Sequence, residues 1–300
     1  MSKFDITPAE FISQGICCRG DLYLPIGINK PPIVIMGHGF GAERKFCLPK
    51  FAEHFASSGL AVLLFDYRCF GESDGTPRNY VDPYRHLQDW QAALDYVRSL
   101  SNINNKKIGL WGSSFAGGHV IVTAAKNPDI TAIVSQVPHI DAIASAKTLG
   151  LVFLTKAIFH ALIDLLFMSI GRDPHYIKIY SAPSEFAALN TADAVIGYES
   201  IIPKGSAWIN RCPARVMIIA SNYRPTKFAT QVRCPALVMS AEKDTLIPIT
   251  AIEKAVNKMP NGKLIKYPYG HFDIYQGKDF EEAVRKQTEF LLTHLSTIAN

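Results

Sequence analysis

From Ile33 onward, short apolar runs alternate with segments whose apolar residues recur every three to four positions. The short runs, too brief for helices and rich in Val, Ile and Leu, read as strands buried on both faces. The segments between them read as helices covering a mostly parallel sheet. PPIVIMGHG predicts a strand that ends in a glycine-rich turn. A helix starting near Pro49 places Leu48, Phe51, Ala52 and Phe55 on one side and stops at Ser58-Gly59. LAVLLFDY is the second strand. Asp82-Pro83 then supplies an N-cap and a first-turn proline for a helix carrying Leu87, Trp90, Leu94 and Val97 inward. KKIGLWG, the helix SFAGGHVIVTAAK ending at Asn127-Pro128, and the strand ITAIVSQV continue the alternation.

The rhythm breaks between Asp141 and Gln231, where helical periodicity is interrupted by Gly and Pro and only the run RVMIIA suggests a strand. It resumes with CPALVMS as strand, a helix around Ala251 to Lys258, GKLIKYP as strand, and a last helix from Phe280 to Leu295. The expected organisation is therefore a core of residues 1–140 and 232–300 with an insertion, mainly helical, at 141–231. Within it, Leu149 to Ile170 is apolar enough to resemble a membrane span. Lys156, His160 and Asp164 stack on one face of that helix, which suits one wet stripe better than a lipid-facing helix, so no membrane span is expected.

Composition narrows the class. Of 300 residues, 48% are hydrophobic and 19% charged, which excludes a disordered chain and a charge-rich coiled coil. The net charge of +5 is scattered rather than blocked, so no nucleic-acid partner is expected. The cysteines at 17, 18, 47, 69, 212 and 234 form no C-x-x-C pair and no zinc spacing, and neither a metal nor another cofactor is expected. MSKFDITPAEFIS lacks the apolar core of a signal peptide, and the expectation is a cytoplasmic protein with reduced thiols.

Candidate chemistry sits at strand ends. In Gly112-Ser113-Ser114-Phe115-Ala116, Ser114 has small residues two before and two after it, between a predicted strand and a predicted helix, the pattern of a nucleophile elbow. Ser113 has Trp111 two positions before it, where the turn demands a small residue. A serine hydroxyl needs a base, and the base needs a carboxylate to fix its tautomer. Asp244 follows CPALVMS and His271 follows GKLIKYP, with Glu242 and Asp273 as rival carboxylates. The oxyanion formed on attack needs two backbone N–H donors. Phe115, next to the serine, and Phe40, in the loop His38-Gly39-Phe40-Gly41, are the candidates. His38 itself lies too early in the chain to suit the base.

MGHGFG, FDYRCFGESDG, WGSSFAGGH, EKDTLIP and YGHF, spaced in this order, resemble the α/β-hydrolase superfamily, and within it the branch of dienelactone-hydrolase-like and acetyl-xylan-esterase-like proteins. The resemblance implies the α/β-hydrolase fold with a cap inserted after the fourth strand, over the active site. It also implies that Asp66, Arg68 and Ser73 tie down a structural loop, and that glycine is the common residue where this chain has Cys69. A serine rather than cysteine or aspartate at 114 argues against dienelactone, dehalogenase and epoxide chemistry. The expected activity is serine-dependent cleavage of a carboxylic ester or thioester of a small-molecule acyl substrate. Two alternatives are acyl transfer to an alcohol or amine and a ligand-binding protein that keeps the triad unused. The apolar helix Leu149 to Ile170 is expected to pack one side on the core and to line the substrate pocket with another, favouring acyl groups of moderate length. Oligomeric state, a homodimer included, stays open.

Overall fold

A computed structural model of the chain describes residues 3–147 and 149–296. Its sheet starts upstream of the first expected strand. Phe4–Ser13 (β1) and Ile16–Pro25 (β2) form an antiparallel hairpin in which Ser13 pairs with Ile16. The two turn residues, Gln14 and Gly15, have φ of +49° and +78°, as a type I′ turn requires. Pro8 is tolerated because β1 is the sheet edge, and most of that strand is exposed, which hides its alternation from a reading based on apolar runs.

The expected units follow. Pro32–Gly37 (β3) leads to Leu48–Ser57 (α1), Ala61–Phe65 (β4) to Pro83–Ser99 (α2), and Asn104–Ser113 (β5) to Phe115–Lys126 (α3), before Ala132–Gln136 (β6). The Asp82 carboxylate caps α2 by accepting from the Tyr84 and Arg85 amides at 2.9 and 3.3 Å.

The insertion contains Ala142–Ala146 (α4), Leu151–Ser169 (α5), Tyr176–Tyr180 (β7), Ala187–Leu189 (β8), Ala192–Ile201 (α6), Cys212–Pro213 (β9) and Val216–Ile219 (α7). β7 lies between β8 and β9 in a small separate sheet that the sequence pattern did not suggest. RVMIIA, expected as a strand, opens instead a short helix. An apolar run of this length carries no period that separates helix from strand. Local anchoring decides it, because the Arg215 amide and guanidinium both donate to Asp164.

Ala236–Ala241 (β10), Ile249–Val256 (α8), Gly262–Tyr267 (β11) and Gly277–Leu295 (α9) complete the core. The main sheet runs β1-β2-β4-β3-β5-β6-β10-β11, parallel except for the pairings of β1 with β2 and of β2 with β4. Successive residues of β3 point to opposite faces. Ile33 and Ile35 pack with Trp90, Leu94 and Val120, whereas Val34 and Met36 pack with Phe51, Phe55 and Leu291. Each such side chain, fully buried, contributes about 1.5–3 kcal/mol.

The stripe on α5 is turned the other way from the expectation. Asp164 is fully buried, with Arg215 Nε and Nη2 donating to its two oxygens at 2.7 and 3.0 Å and the His175 amide donating at 2.9 Å. His160 stacks on His175 with Nδ1 and Nε2 2.8 Å apart. Of the three stripe residues only Lys156 faces solvent, and much of the apolar surface of α5 lies outside. Periodicity reveals that one helix face is polar; the partner that makes burial of that face favourable comes from residues 51 positions away.

Candidate active site

Ser114 occupies the sharp turn between β5 and α3, with φ +56° and ψ −115°, a conformation in which non-glycine residues are strained. The turn is possible because Gly112 has no side chain: a Cβ there would lie 2.3 Å from the Ala116 carbonyl oxygen. The turn is braced by the Ser114 amide, which donates to the Gln136 carbonyl at 2.9 Å, and by the His139 amide, which donates to the Ser114 carbonyl at 2.8 Å. Ser113 points to the opposite side, where its buried hydroxyl meets the Tyr275 hydroxyl at 2.6 Å and accepts from Gln136 Nε2 at 2.9 Å.

Asp244 and His271 arrive from the loops after β10 and β11. His271 Nδ1 lies 2.6 Å from Asp244 Oδ2, and because a carboxylate only accepts, Nδ1 carries the proton. Nε2 is then an acceptor, 3.0 Å from Ser114 Oγ. The other Asp244 oxygen accepts from the Leu246 and Ile247 amides at 2.8 and 2.9 Å, which fixes the carboxylate against the loop. Of the rival carboxylates, Asp273 accepts from the Gly270 amide at 2.8 Å, and Glu242 is exposed.

The neighbouring histidines differ in kind. Burial pushes His38 and His139 down to about 4, and burial pushes His86 and His119 well below the ordinary histidine range. They are neutral packing groups at neutral pH. His86 stacks on Tyr67 at 4.0 Å, and His119 Nδ1 lies 2.6 Å from the Tyr223 hydroxyl.

Asp66 is buried against Arg44, which also reaches Asp21 and Glu72, and the Ser73 hydroxyl donates to the Asp66 carbonyl at 2.7 Å. Arg68 pairs with buried Asp89, whose carboxyl burial raises to about 6. These groups tie together the loop after β4 rather than face Ser114. Cys69 in that loop has φ +72°, the left-handed region that favours glycine.

Phe115 opens α3, where the first amides of a helix have no intrahelical acceptor. The loop bearing Phe40 lies beside the serine: a Cβ on Gly39 would sit 3.2 Å from Ser114 Cβ. Two aromatic residues of the insertion hold this loop by its carbonyls. The Tyr198 hydroxyl donates to Phe40 O, and Trp208 Nε1 donates to Gly41 O at 2.9 Å. Sequence reasoning missed both, since nothing local marks an aromatic residue for a partner more than 150 positions away.

Leu189, Tyr198, Ile201, Leu246 and Phe272 enclose a space of about 30 Å³ against Ser114 and His271. Its insertion-derived wall comes from β8 and α6. The expected contribution of α5 to the pocket is not found among the described residues, because that helix turns its apolar side outward. The space is also far below the several hundred Å³ of common ligand pockets, so the expected room for acyl groups of moderate length is not present in this conformation.

Comparison with known proteins agrees with this architecture. Residues 15–273 match the model of the X-Pro dipeptidyl-peptidase (S15 family). The chain is 35% identical over 282 residues to the quorum-quenching protein AidA of Acinetobacter baumannii, covering 94% of this chain and 93% of that protein. It is 27% identical to the polyketide transferase af380 of Aspergillus fumigatus, over 94% of this chain and 96% of that one. The crystal structure of the α/β hydrolase GrgF from Penicillium superposes with a TM-score of 0.84 at 23% identity, over 98% and 100% of the two chains. The chain therefore belongs to the S15 family and is an enzyme of the α/β-hydrolase type.

Proposed function

We propose that the chain cleaves a carboxylic ester or thioester of a small-molecule substrate through an acyl-enzyme on Ser114. The observation that carries this reading is the unbroken chain from Ser114 Oγ through His271 to Asp244, at 3.0 and 2.6 Å. Ser114 Oγ attacks the carbonyl carbon while His271 Nε2 takes its proton, and Asp244 stabilises the imidazolium that forms. The negative charge that develops on the carbonyl oxygen falls to the Phe40 and Phe115 amides. His271 then returns the proton to the departing alcohol or thiol. Water, activated by the same imidazole, releases the acid.

Residues 141–231 act in this reading as a cap, since Tyr198 and Trp208 grip the oxyanion loop and Leu189 and Ile201 close the pocket. Transfer to an alcohol or amine in place of water is the second reading. It is favoured by the likeness to a polyketide transferase.

The test is covalent labelling by a fluorophosphonate, with turnover of p-nitrophenyl esters from acetate to octanoate, with and without added alcohols and amines. Labelling confined to Ser114 is expected, with kcat lowered about 10⁴-fold or more in Ser114→Ala. Given the 30 Å³ space, acetate should be the best ester. A folded protein that neither labels nor turns over any ester would leave the ligand-binding reading in its place.

A further inference from the structure

Ser114 and His271 come from strands that are not neighbours. His271 follows β11, and β10 and β6 lie between that strand and β5, which ends just before Ser114. At about 4.8 Å per strand, the segment bearing His271 crosses roughly 14 Å of strand ends on its way to the serine. There Nε2 lies 3.0 Å from Ser114 Oγ. That bond cannot by itself hold the ring in place, because it is broken and remade in every turnover.

The segment is tied on both sides of the histidine. Before it, the Lys243 amide donates to the Tyr269 carbonyl at 3.0 Å, which joins the segment to the loop carrying Asp244. After it, the Tyr275 hydroxyl lies 2.6 Å from the hydroxyl of Ser113, the residue that precedes the nucleophile. Among the described residues, only this bond and that of Ser114 with His271 join residues 268–276 directly to residues 111–115. Between the ties the segment is stiff. The Asp273 carboxylate accepts from the Gly270 amide at 2.8 Å, and the Tyr275 amide donates to the Phe272 carbonyl at 3.2 Å. A shift of Tyr275 is therefore carried to His271.

Ser113 is in turn held from the interior. Trp111 Nε1, which can only donate, gives its hydrogen to Gln287 Oε1 at 2.8 Å and so fixes which end of that amide faces it. Gln287 Nε2 then donates to Gln136 Oε1 at 2.7 Å, and Gln136 Nε2 to Ser113 Oγ at 2.9 Å. Trp111, Gln287, Gln136 and Ser113 are all fully buried, so no water competes for these groups. The backbone carbonyl of Gln136 also accepts from the Ser114 amide, which places the nucleophile on the same frame.

We propose that Ser113 and Tyr275 are positioning residues for the reaction, their hydroxyl–hydroxyl bond setting the distance and direction of His271 Nε2 relative to Ser114 Oγ. The inference rests on the acyl-enzyme reading above. It gives the two adjacent serines separate roles: Ser114 attacks the carbonyl and Ser113 keeps the base in line. Proton transfer tolerates little misplacement, so the bond acts on the chemical step rather than on substrate binding.

The experiment compares wild type, Ser113→Ala, Tyr275→Phe and the double variant. It measures kcat and KM for p-nitrophenyl acetate and the rate of fluorophosphonate labelling, with circular dichroism establishing that each protein is folded at the assay temperature. Tyr275→Phe keeps the ring that lines the space beside Ser114. Each single variant should lower kcat and the labelling rate about 10- to 100-fold with KM changed less than 3-fold. The double variant should be no slower than the slower single one, since both substitutions remove the same bond. Ser135→Ala is the control. It deletes a buried hydroxyl of β6 that donates to the Gly117 carbonyl at 2.8 Å without touching the His271 segment, and kcat should stay within about 3-fold. Should one single variant not fold, the other reads the same bond from its other side. An active wild type beside single variants of unchanged kcat overturns this inference alone, as do losses that multiply in the double variant. A wild type that neither labels nor turns over the ester overturns the acyl-enzyme reading, and this inference with it.

Discussion

Tyr198, in the insertion, donates its hydroxyl hydrogen to the carbonyl oxygen of Phe40, 158 residues earlier in the chain. A carbonyl held from one side fixes the plane of its peptide, and thus the direction of the neighbouring amides in the loop beside Ser114. Tyr198→Phe removes one hydrogen bond and little volume. We expect kcat for a simple ester to fall about 10-fold with KM changed less than 3-fold, the pattern of an interaction that matters at the transition state. Equal loss in both constants, or none, would mean that the bond only packs the insertion.

Asp244 can be separated from its neighbours by neutral isosteres. Asp244→Asn should lower kcat by about 10²–10⁴ with little change in melting temperature, because the amide cannot stabilise the His271 imidazolium. Asp273→Asn and Glu242→Gln should retain turnover within a few-fold, since neither carboxylate touches His271. Near-normal turnover in Asp244→Asn would remove that residue from the mechanism.

Three buried histidines and the half-buried His139 make stability sensitive to acid. Burial holds His38 and His139 at about 4 and keeps His86 and His119 well below the ordinary range, whereas an unfolded chain protonates histidine near pH 6.5. Protons therefore bind the unfolded state more readily. The stability tied to the neutral rings is fully present above about pH 6.5 and is lost as pH falls toward 4, by up to about 1.4 kcal/mol per pH unit for each ring. Urea denaturation at pH 7, 6 and 5 should show a steep fall in midpoint, and a flat series would contradict the buried, neutral assignment.

Asp164 and Arg215 illustrate a pair that is costly to break and cheap to replace. Asp164→Ala leaves a buried guanidinium without its carboxylate and should destabilise by about 3–5 kcal/mol. The double variant Asp164→Leu/Arg215→Met should recover most of that loss. Denaturant melts of the three proteins check both outcomes; equal stability in the double and the single variant would show that the pair is not the source of the cost.

Where the signal is local, the order of residues alone specifies the structure. Continuous apolar runs specify β3, β4, β5, β6 and β10 because a strand buried on both faces must be apolar at every position. Gly112, Ser114 and Ala116 specify the elbow because the tight turn excludes larger side chains beside the serine. The placement of Asp244 and His271 just past strand ends was legible for a related reason: loops at the carboxyl ends of parallel strands converge, so two polar residues there meet whatever the intervening chain does.

Features that depend on a distant partner emerge only in the folded chain. The direction of the α5 stripe was set by Arg215, which makes burial of Asp164 favourable and so turns the apolar side outward. The choice of Asp244 over Asp273 was set by which oxygen reaches His271 Nδ1, a difference of loop geometry that spacing does not encode. The grip of Tyr198 and Trp208 on the loop beside Ser114, and the smallness of the space they help to close, came likewise from packing between segments far apart in the chain. Periodicity and turn chemistry act over a few residues, whereas hydrogen bonds and buried charges are satisfied by whatever the fold brings near, and that pairing exists only once the chain has folded.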